Sequence, residues 1–419
     1  MLRASSLIYS ITIVFLTGIL ASSFLLYQQL SQKETDLYLL QYRLSKNARS
    51  GIEYLLAASA YTEYYSFKEI TLSENPADSV RLLLKPWGIF EIGVSKAHFK
   101  NKQSEMICLI GSKNSGNEKT GLYAVDLDRE IAVCGKTILN GVTYLPNEGI
   151  KRAYIEGQNY TGDKLVYGIQ RNSSREIPLL KKELTDAMLK KIKGEVHYTD
   201  SIVNWHELNN DTIIQSHYEK TIRIQHSGNI VLESGYYNGN VQFRASKKIE
   251  IKKGCRLEGV ILFAPEIYID NSDTSFFQAF ATDTLVLMEK SVLIYPSVLA
   301  VIKDPSKKEA EPVLKVEKDA RIAGSILVYE EQTNHKNYPM LKIEEGATVF
   351  GEVYCNGLSH LQGTIFGTAI VFKLRLKSHS SEYDNHLLNS VIDGNKIPPG
   401  FCGLMFQDRR YSKSILQWL

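Results

Sequence analysis

The chain has 419 residues, 44% hydrophobic and 23% charged, which allows about two or three domains and excludes wholesale disorder. Lys and Arg number 49 against 46 Asp and Glu, a net charge of +3, so the basic excess of a nucleic-acid binder is absent. Five cysteines (Cys108, Cys134, Cys255, Cys355, Cys402) are scattered with no CxxC pair. That spacing offers no structural zinc site, and an odd number cannot all pair within one chain.

From Leu7 to Leu26 there is no charge. At about 1.5 Å rise per residue this run fills a hydrocarbon core of about 30 Å. The candidate membrane-anchoring side chains are Leu7, Ile8, Ile11, Ile13, Val14, Phe15, Leu16, Ile19, Leu20, Phe24, Leu25 and Leu26. Arg3 precedes the run; Lys33, Glu34 and Asp36 follow it. A cleavable signal peptide has an apolar region of about 7–15 residues, shorter than this one. Leu30, Leu37, Leu40, Leu44, Ala48, Ile52 and Leu55 then keep a helical apolar spacing. A helix continuing out of the membrane predicts a retained anchor over residues 1–60. Arg3 on the short flank predicts an N-terminus in the cytoplasm, with everything after about residue 30 outside the cytoplasmic (inner) membrane.

Ala4-Ser5-Ser6-Leu7 before the run, and Asn47-Ala48-Arg49-Ser50-Gly51-Ile52-Glu53-Tyr54 after it, resemble the anchor helix of type IV pilins and pseudopilins. The resemblance is closest to minor pilins whose first segment ends in an Ala/Gly-rich helix, and it covers about 60 residues. Counted from Ser5, Tyr9 stands where major pilins carry a Glu, so the resemblance implies a minor subunit. It also implies membrane lipid around the helix and protein partners in a pilus or secretion-type assembly.

Tyr61 to Asp78 is aromatic, then polar, and Glu74-Asn75-Pro76 is expected to break the helix. From Trp87 the period becomes two, with Phe90, Ile92 and Val94 alternating with Glu91 and Gly93. Met106–Ile110 and Gly121–Val125 read as further strands, with a turn over Lys113–Lys119. Residues 61–130 are therefore expected to form a pilin-like β-meander. Leu180, Leu184, Met188 and Ile192 repeat every four residues and predict a helical insertion near 179–193.

Four segments of the second half align. They begin at Ile249, Leu285, Leu314 and Leu341. The shared pattern is apolar-x-apolar, two polar residues, a turn residue (Gly254, Asp319, Gly346), a small residue, then apolar-x-Gly-x-apolar. Such a unit cannot bury its apolar face alone, and stacking neighbours buries a continuous core. The expectation is an irregular β-helix over 131–375, with Asp304–Pro312 and Glu330–Pro339 looping out. The Ile249–Lys373 stretch resembles the bactofilin type of β-helix. The fold class is thus mainly β: a long N-terminal transmembrane helix, a meander, and an irregular β-solenoid.

The chemistry tests are spare. Secreted β-helices resembling polygalacturonases carry Asn-Thr-Asp, Asp-Asp, Gly-His-Gly and Arg-Ile-Lys motifs. None occurs here, and Asn271-Ser272-Asp273 is the nearest. Outward acids such as Glu250 and Glu344 read as a solvated face. His197, His206, His217 and His226 recur at intervals of about ten, wider than local metal ligands require. GxSxG, GxxxxGK[ST] and GxGxxG are all missing. No catalytic residue, metal ligand or cofactor is expected. Asn159, Asn172 and Asn210 head glycosylation-type triplets, at a frequency chance allows.

Residues 376–419 are expected to be a cap or tail. Tyr383–Leu388 reads as a short helix ended by Pro398-Pro399. The chain closes with Ile415, Leu416, Trp418 and Leu419, read either as a cover over the solenoid's open end or as a partner-binding tail. The reading is a non-enzymatic, single-pass envelope protein, a minor subunit of a surface or secretion filament. A membrane-tethered carbohydrate-active β-helix and a static envelope scaffold are the alternatives.

Overall fold

One continuous helix, α1 (Leu2–Ala57), carries the whole apolar run and its amphipathic extension. The computed structural model describes residues 2–57, 64–73, 78–114, 116, 118–195, 200–208, 211–271, 275–331, 337–378, 381–408 and 411–419, with side chains from residue 6. The expected breaker Glu74-Asn75-Pro76, His197, Asn210 and Ser272-Asp273 lie outside the described residues. The chain divides into two compact units. One is Met1–Leu84 with Gly93–Ile107; the other is Lys85–Ile92 with Cys108–Leu419.

The strands β1 (Lys68–Thr71), β2 (Ser79–Trp87), β3 (Phe90–Phe99) and β4 (Lys102–Asn114) follow one another in sheet order, and the first unit takes their residues up to Leu84 and over Gly93–Ile107. β1 and β2 pair antiparallel. Leu44, Ala48, Ile52 and Leu55 are fully buried, one stripe of the last turns of α1. Gly51 permits the close approach: a Cβ there would lie 2.9 Å from Leu82 Cδ2 and 3.1 Å from Ser95 Cβ. A polar clamp reinforces the packing. Asp78 accepts both Nε and Nη2 of Arg43 at 2.7 Å, Asn47 Nδ2 at 2.9 Å and Ser73 Oγ at 2.5 Å. The upper part of the same apolar stripe is uncovered, with Leu30 and Leu37 exposed.

The second unit is a parallel β-solenoid. Leu285, Leu314 and Leu341 stand in register on successive coils, as do Leu287, Val316 and Ile343. A second column runs Leu293, Ile322, Val349, Ile365, Ile392, Leu139. A third runs Phe243, Leu262, Ala279, Leu299, Ile326, Val353, Ala369, Leu122. Every member of the second and third columns is 1% exposed or less. Burying such a side chain contributes about 1.5–3 kcal/mol, so the columns are the core.

The corners follow from the repeat pattern. Lys290, Asp319 and Gly346 all turn with positive φ, at 60°, 58° and 81°. The small residues after them, Ser291, Ala320 and Ala347, are buried where the chain is most crowded. Gly324, Gly351 and Gly367 form an in-register ladder at φ 148°, 146° and 153°. A Cβ on any of them would strike a backbone carbonyl of the preceding coil: Ser297, Gly324 and Gly351 respectively. Gly254 differs from the expected turn; it lies within the strand Lys248–Ile269, paired with Ser234.

Two features depart from the sequence reading. Ile249 and Leu285 do not start adjacent coils. Ile267 pairs with Leu285, and Asp270 N donates to Ile251 O, so a further coil lies between. Spatial order also differs from chain order. β5 (Thr120–Ala124) stacks on Ala369–Val371, near the end of the chain, and Ile138–Asn140 stacks on Val391–Asp393. Helix α2 (Lys182–Ile192) then precedes the coil at the opposite end, where Ser201–Asn204 pairs with Ile222–Gln225. Tyr383–Leu388 is not a helix. It forms two strands, Glu382–Asp384 and His386–Leu388, separated by Asn385 at φ 59°, a conformation that breaks a right-handed helix.

Candidate functional site

Two segments were expected to meet something outside the chain, the anchor helix and the C-terminal residues. All the candidate anchor side chains from Leu7 to Leu26 are exposed, from 46% at Ile19 to 70% at Val14. Four of the segment's hydroxyls are satisfied within the helix. Ser10 Oγ donates to Ser6 O at 3.0 Å, Thr12 to Ile8 O at 2.8 Å, Thr17 to Val14 O at 2.9 Å and Ser23 to Ile19 O at 2.9 Å. A helix surface with internally paired backbone and hydroxyl groups suits hydrocarbon, where an unpaired polar group costs several kcal/mol. α1 is the one helix among the described residues long and apolar enough to cross a membrane. Beyond it Tyr38, Leu39 and Tyr42 remain exposed before the Asp78 clamp begins.

The C-terminal residues form a strand, Tyr411–Trp418, antiparallel to Cys108–Asn114 of β4, with a register irregularity between Ile415 and Gln417. Ile415 and Leu416 are half-buried, and a Cβ on Gly111 would press on Leu416. Trp418 and Leu419 are exposed. Lys413 on this strand lies 3.0 Å from Glu91 Oε2, while Lys181 Nζ lies 2.5 Å from Glu91 Oε1. Glu91 is fully buried, so one carboxylate ties together β3, the start of α2 and the last strand. Sequence reasoning missed this triad, because Glu91 sits in strand alternation that looks solvated.

Before that strand the chain covers an outer face of the solenoid. Tyr295 Oη donates to Cys402 O at 3.0 Å, and the Phe401 ring lies beside the Gly351 position. Under this cover Glu352 is buried and accepts Leu404 N–H at 2.9 Å. Burial pushes its carboxyl up to about 7, opposed only by that backbone hydrogen bond.

The remaining candidates fall apart spatially. His217 is buried edge-on to Trp87, with centroids 5.1 Å apart, and burial with the nearby Lys85 charge lowers it to about 3. His206 and His226 meet edge-to-face at 4.5 Å. Among the described residues no group of three or more His, Cys, Asp or Glu is placed to hold a metal. Glu250 is held by Lys248 at 2.5 Å and Lys252 at 2.8 Å, which lower its carboxyl, and Glu344 lies 3.7 Å from Lys315. All five cysteines are buried with free thiols.

No family model matches the chain, and no curated protein matches it. Among solved structures the chain is similar to the competence-associated pilin ComZ from Thermus thermophilus. The alignment covers 91% of this chain and 97% of that one, at 10% identity and a TM-score of 0.24. Overlap at that level carries no argument about fold or role.

Proposed function

We propose that this is a membrane-anchored structural or assembly protein, a pilin- or pseudopilin-like minor subunit of a surface or secretion filament, with a non-catalytic role. The observation that supports it is α1. Its first half is apolar, exposed and internally hydrogen-bonded, and the same helix runs without a break into a second half docked at Leu44–Leu55. A cleaved targeting signal has no need of such continuity. In this reading Leu7–Leu26 lie in the inner membrane with the N-terminus in the cytoplasm. The solenoid is the outward face that meets protein partners, and Trp418 and Leu419 belong to that contact surface.

Mass spectrometry of the N-terminal peptide from the native membrane fraction tests this. A start near Ser5 carrying an N-methyl group is the expected result and indicates prepilin-peptidase processing. A start at Met1 turns the reading toward a static envelope scaffold. A start beyond Ser31 refutes the anchor.

A further inference from the structure

A cavity of about 430 Å³ lies between the last turn of α2 and the outer face of four consecutive coils. Its origin is in the register. Arg244, Phe263 and Phe280 stack in one outward column, followed by Ala300. Phe263 and Phe280 lie nearly parallel, 5.3 Å apart at 19°, and form an apolar floor. Further along the same outward column α2 covers the coils, burying Leu184, Met188 and Leu189. Near Ile192 the helix ends, and the cover ends with it.

The helix end is fastened from the solenoid side. Arg244 donates from Nη1 to Lys191 O at 2.8 Å and from Nη2 to Ile192 O at 2.5 Å. Arg223 donates to the carbonyls of Gly194 and Glu195 at 3.3 and 3.2 Å. These bonds meet the orphan carbonyls of the last turn. They leave the cavity with an uneven charge. Lys193, Arg244, Lys303 and Lys307 line it against Asp304 alone. Lys303 is matched by Glu330 at 3.2 Å and Lys307 by Asp283 at 2.9 Å. Lys193 acts on Asp304 through space, with Lys307, and Arg244 is met by carbonyls alone. Ser246 and Thr282 add hydroxyls to the rim.

We infer that this cavity is a binding site for a small amphipathic acid, its ring-sized apolar body over Phe263 and Phe280 and its anionic group between Lys193 and Arg244. The volume lies within the usual range for small-molecule sites, about 300–1,000 Å³, and an apolar floor with a few convergent polar groups is their usual lining. Arg244, whose partners are neutral carbonyls, and Lys193, which shares Asp304 with Lys307 without a direct ion pair, leave a net positive rim beside the apolar floor, and that favours a carboxylate over a neutral ring. The site would give an otherwise structural protein a ligand-responsive contact between α2 and the coils.

The test is calorimetric titration of the full chain in lipid nanodiscs with 2-naphthoate and its neutral twin 2-naphthamide, with empty nanodiscs as the blank. Naphthoate is expected to bind and the amide to bind at least about tenfold more weakly, the scale of a charge-assisted hydrogen bond. Lys193→Gln, at an exposed position without an ion-pair partner, is expected to weaken naphthoate at least about threefold and leave the amide unchanged. Thr282→Trp, which fills the cavity, is expected to abolish both at unchanged far-UV circular dichroism. Equal binding of acid and amide overturns the inference, as does naphthoate affinity indifferent to Lys193→Gln. So does the absence of naphthoate heat at about 5 mM, a concentration that reveals even millimolar sites. Should Thr282→Trp fail to fold, the amide and Lys193→Gln comparisons still decide.

Discussion

Glu352 makes the stability of the solenoid depend on pH in a direction opposite to ordinary acid denaturation. An unfolded glutamate titrates near 4.5, and in the folded chain burial under the 401–406 cover pushes Glu352 up to about 7. Between those values the unfolded chain has released its proton while the folded chain keeps it. Folding therefore binds protons, and stability falls as pH rises through the window, then levels above about 7. At about 1.4 kcal/mol per tenfold change in proton activity, the window amounts to about 3 kcal/mol. Glu352→Gln keeps an acceptor for Leu404 N–H and removes the titration. Denaturant unfolding of both proteins from pH 4.5 to 7.5 cancels every other titrating group in the difference. The expected result is near-equal stability at pH 4.5 and an advantage for the glutamine variant that grows to about 3 kcal/mol by pH 7.5. Once the base-catalysed intrinsic rate is divided out, protection of the Leu404 amide is expected to fall with pH in the natural protein alone. Parallel pH profiles for the two proteins would refute the reasoning.

Asp78→Ala removes the acceptor shared by Arg43, Asn47 and Ser73. A loss of about 2 kcal/mol is expected, held down because Arg43 is partly solvated, and thermal melting measures it. These hydrogen bonds hold the Asp78 carboxyl well below the usual range, with Arg43 the largest cause. The clamp's contribution is therefore full above about pH 4 and is lost below it. Gly351→Ala places a Cβ against Gly324 O at a φ only glycine tolerates. A cost of about 3 kcal/mol or more is expected, read as a lowered unfolding midpoint or loss of soluble expression. Leu16→Arg puts a charge midway along the apolar run, at about 3 kcal/mol for insertion. The variant is expected to leave the membrane fraction on carbonate extraction, whereas Tyr42→Arg, on the exposed stem, is expected to stay.

The long apolar helix and the coil pattern were legible because both rest on local periodicity. Leu285-x-Leu287, Leu314-x-Val316 and Leu341-x-Ile343 each lead, two residues on, into a turn residue and a small one, and the structure stacks them in that register. The coil at Ile267 was missed because Ile269 is followed by Asp270-Asn271 and a different corner. The last strand was read as a cap or a tail because Ser412-Lys413-Ser414-Ile415 alternates weakly and its partner, Cys108–Asn114, lies far away in sequence. The cavity at α2 was invisible for a different reason. Phe263 and Phe280 read as core in any strand, and only the register shows that they point outward.

The out-of-order stacking has a consequence for synthesis. β5 and the strand Ile138–Asn140 leave the ribosome roughly 250 residues before Ala369–Val371 and Val391–Asp393, on which they rest. At about 5–20 residues per second that interval is tens of seconds. During it, these two strands wait with bare edges. The coils between Ile222 and Leu361 have neighbours in immediate sequence and can close as they emerge. The solenoid thus closes from its middle outward, and its earliest strands are among the last to be sealed.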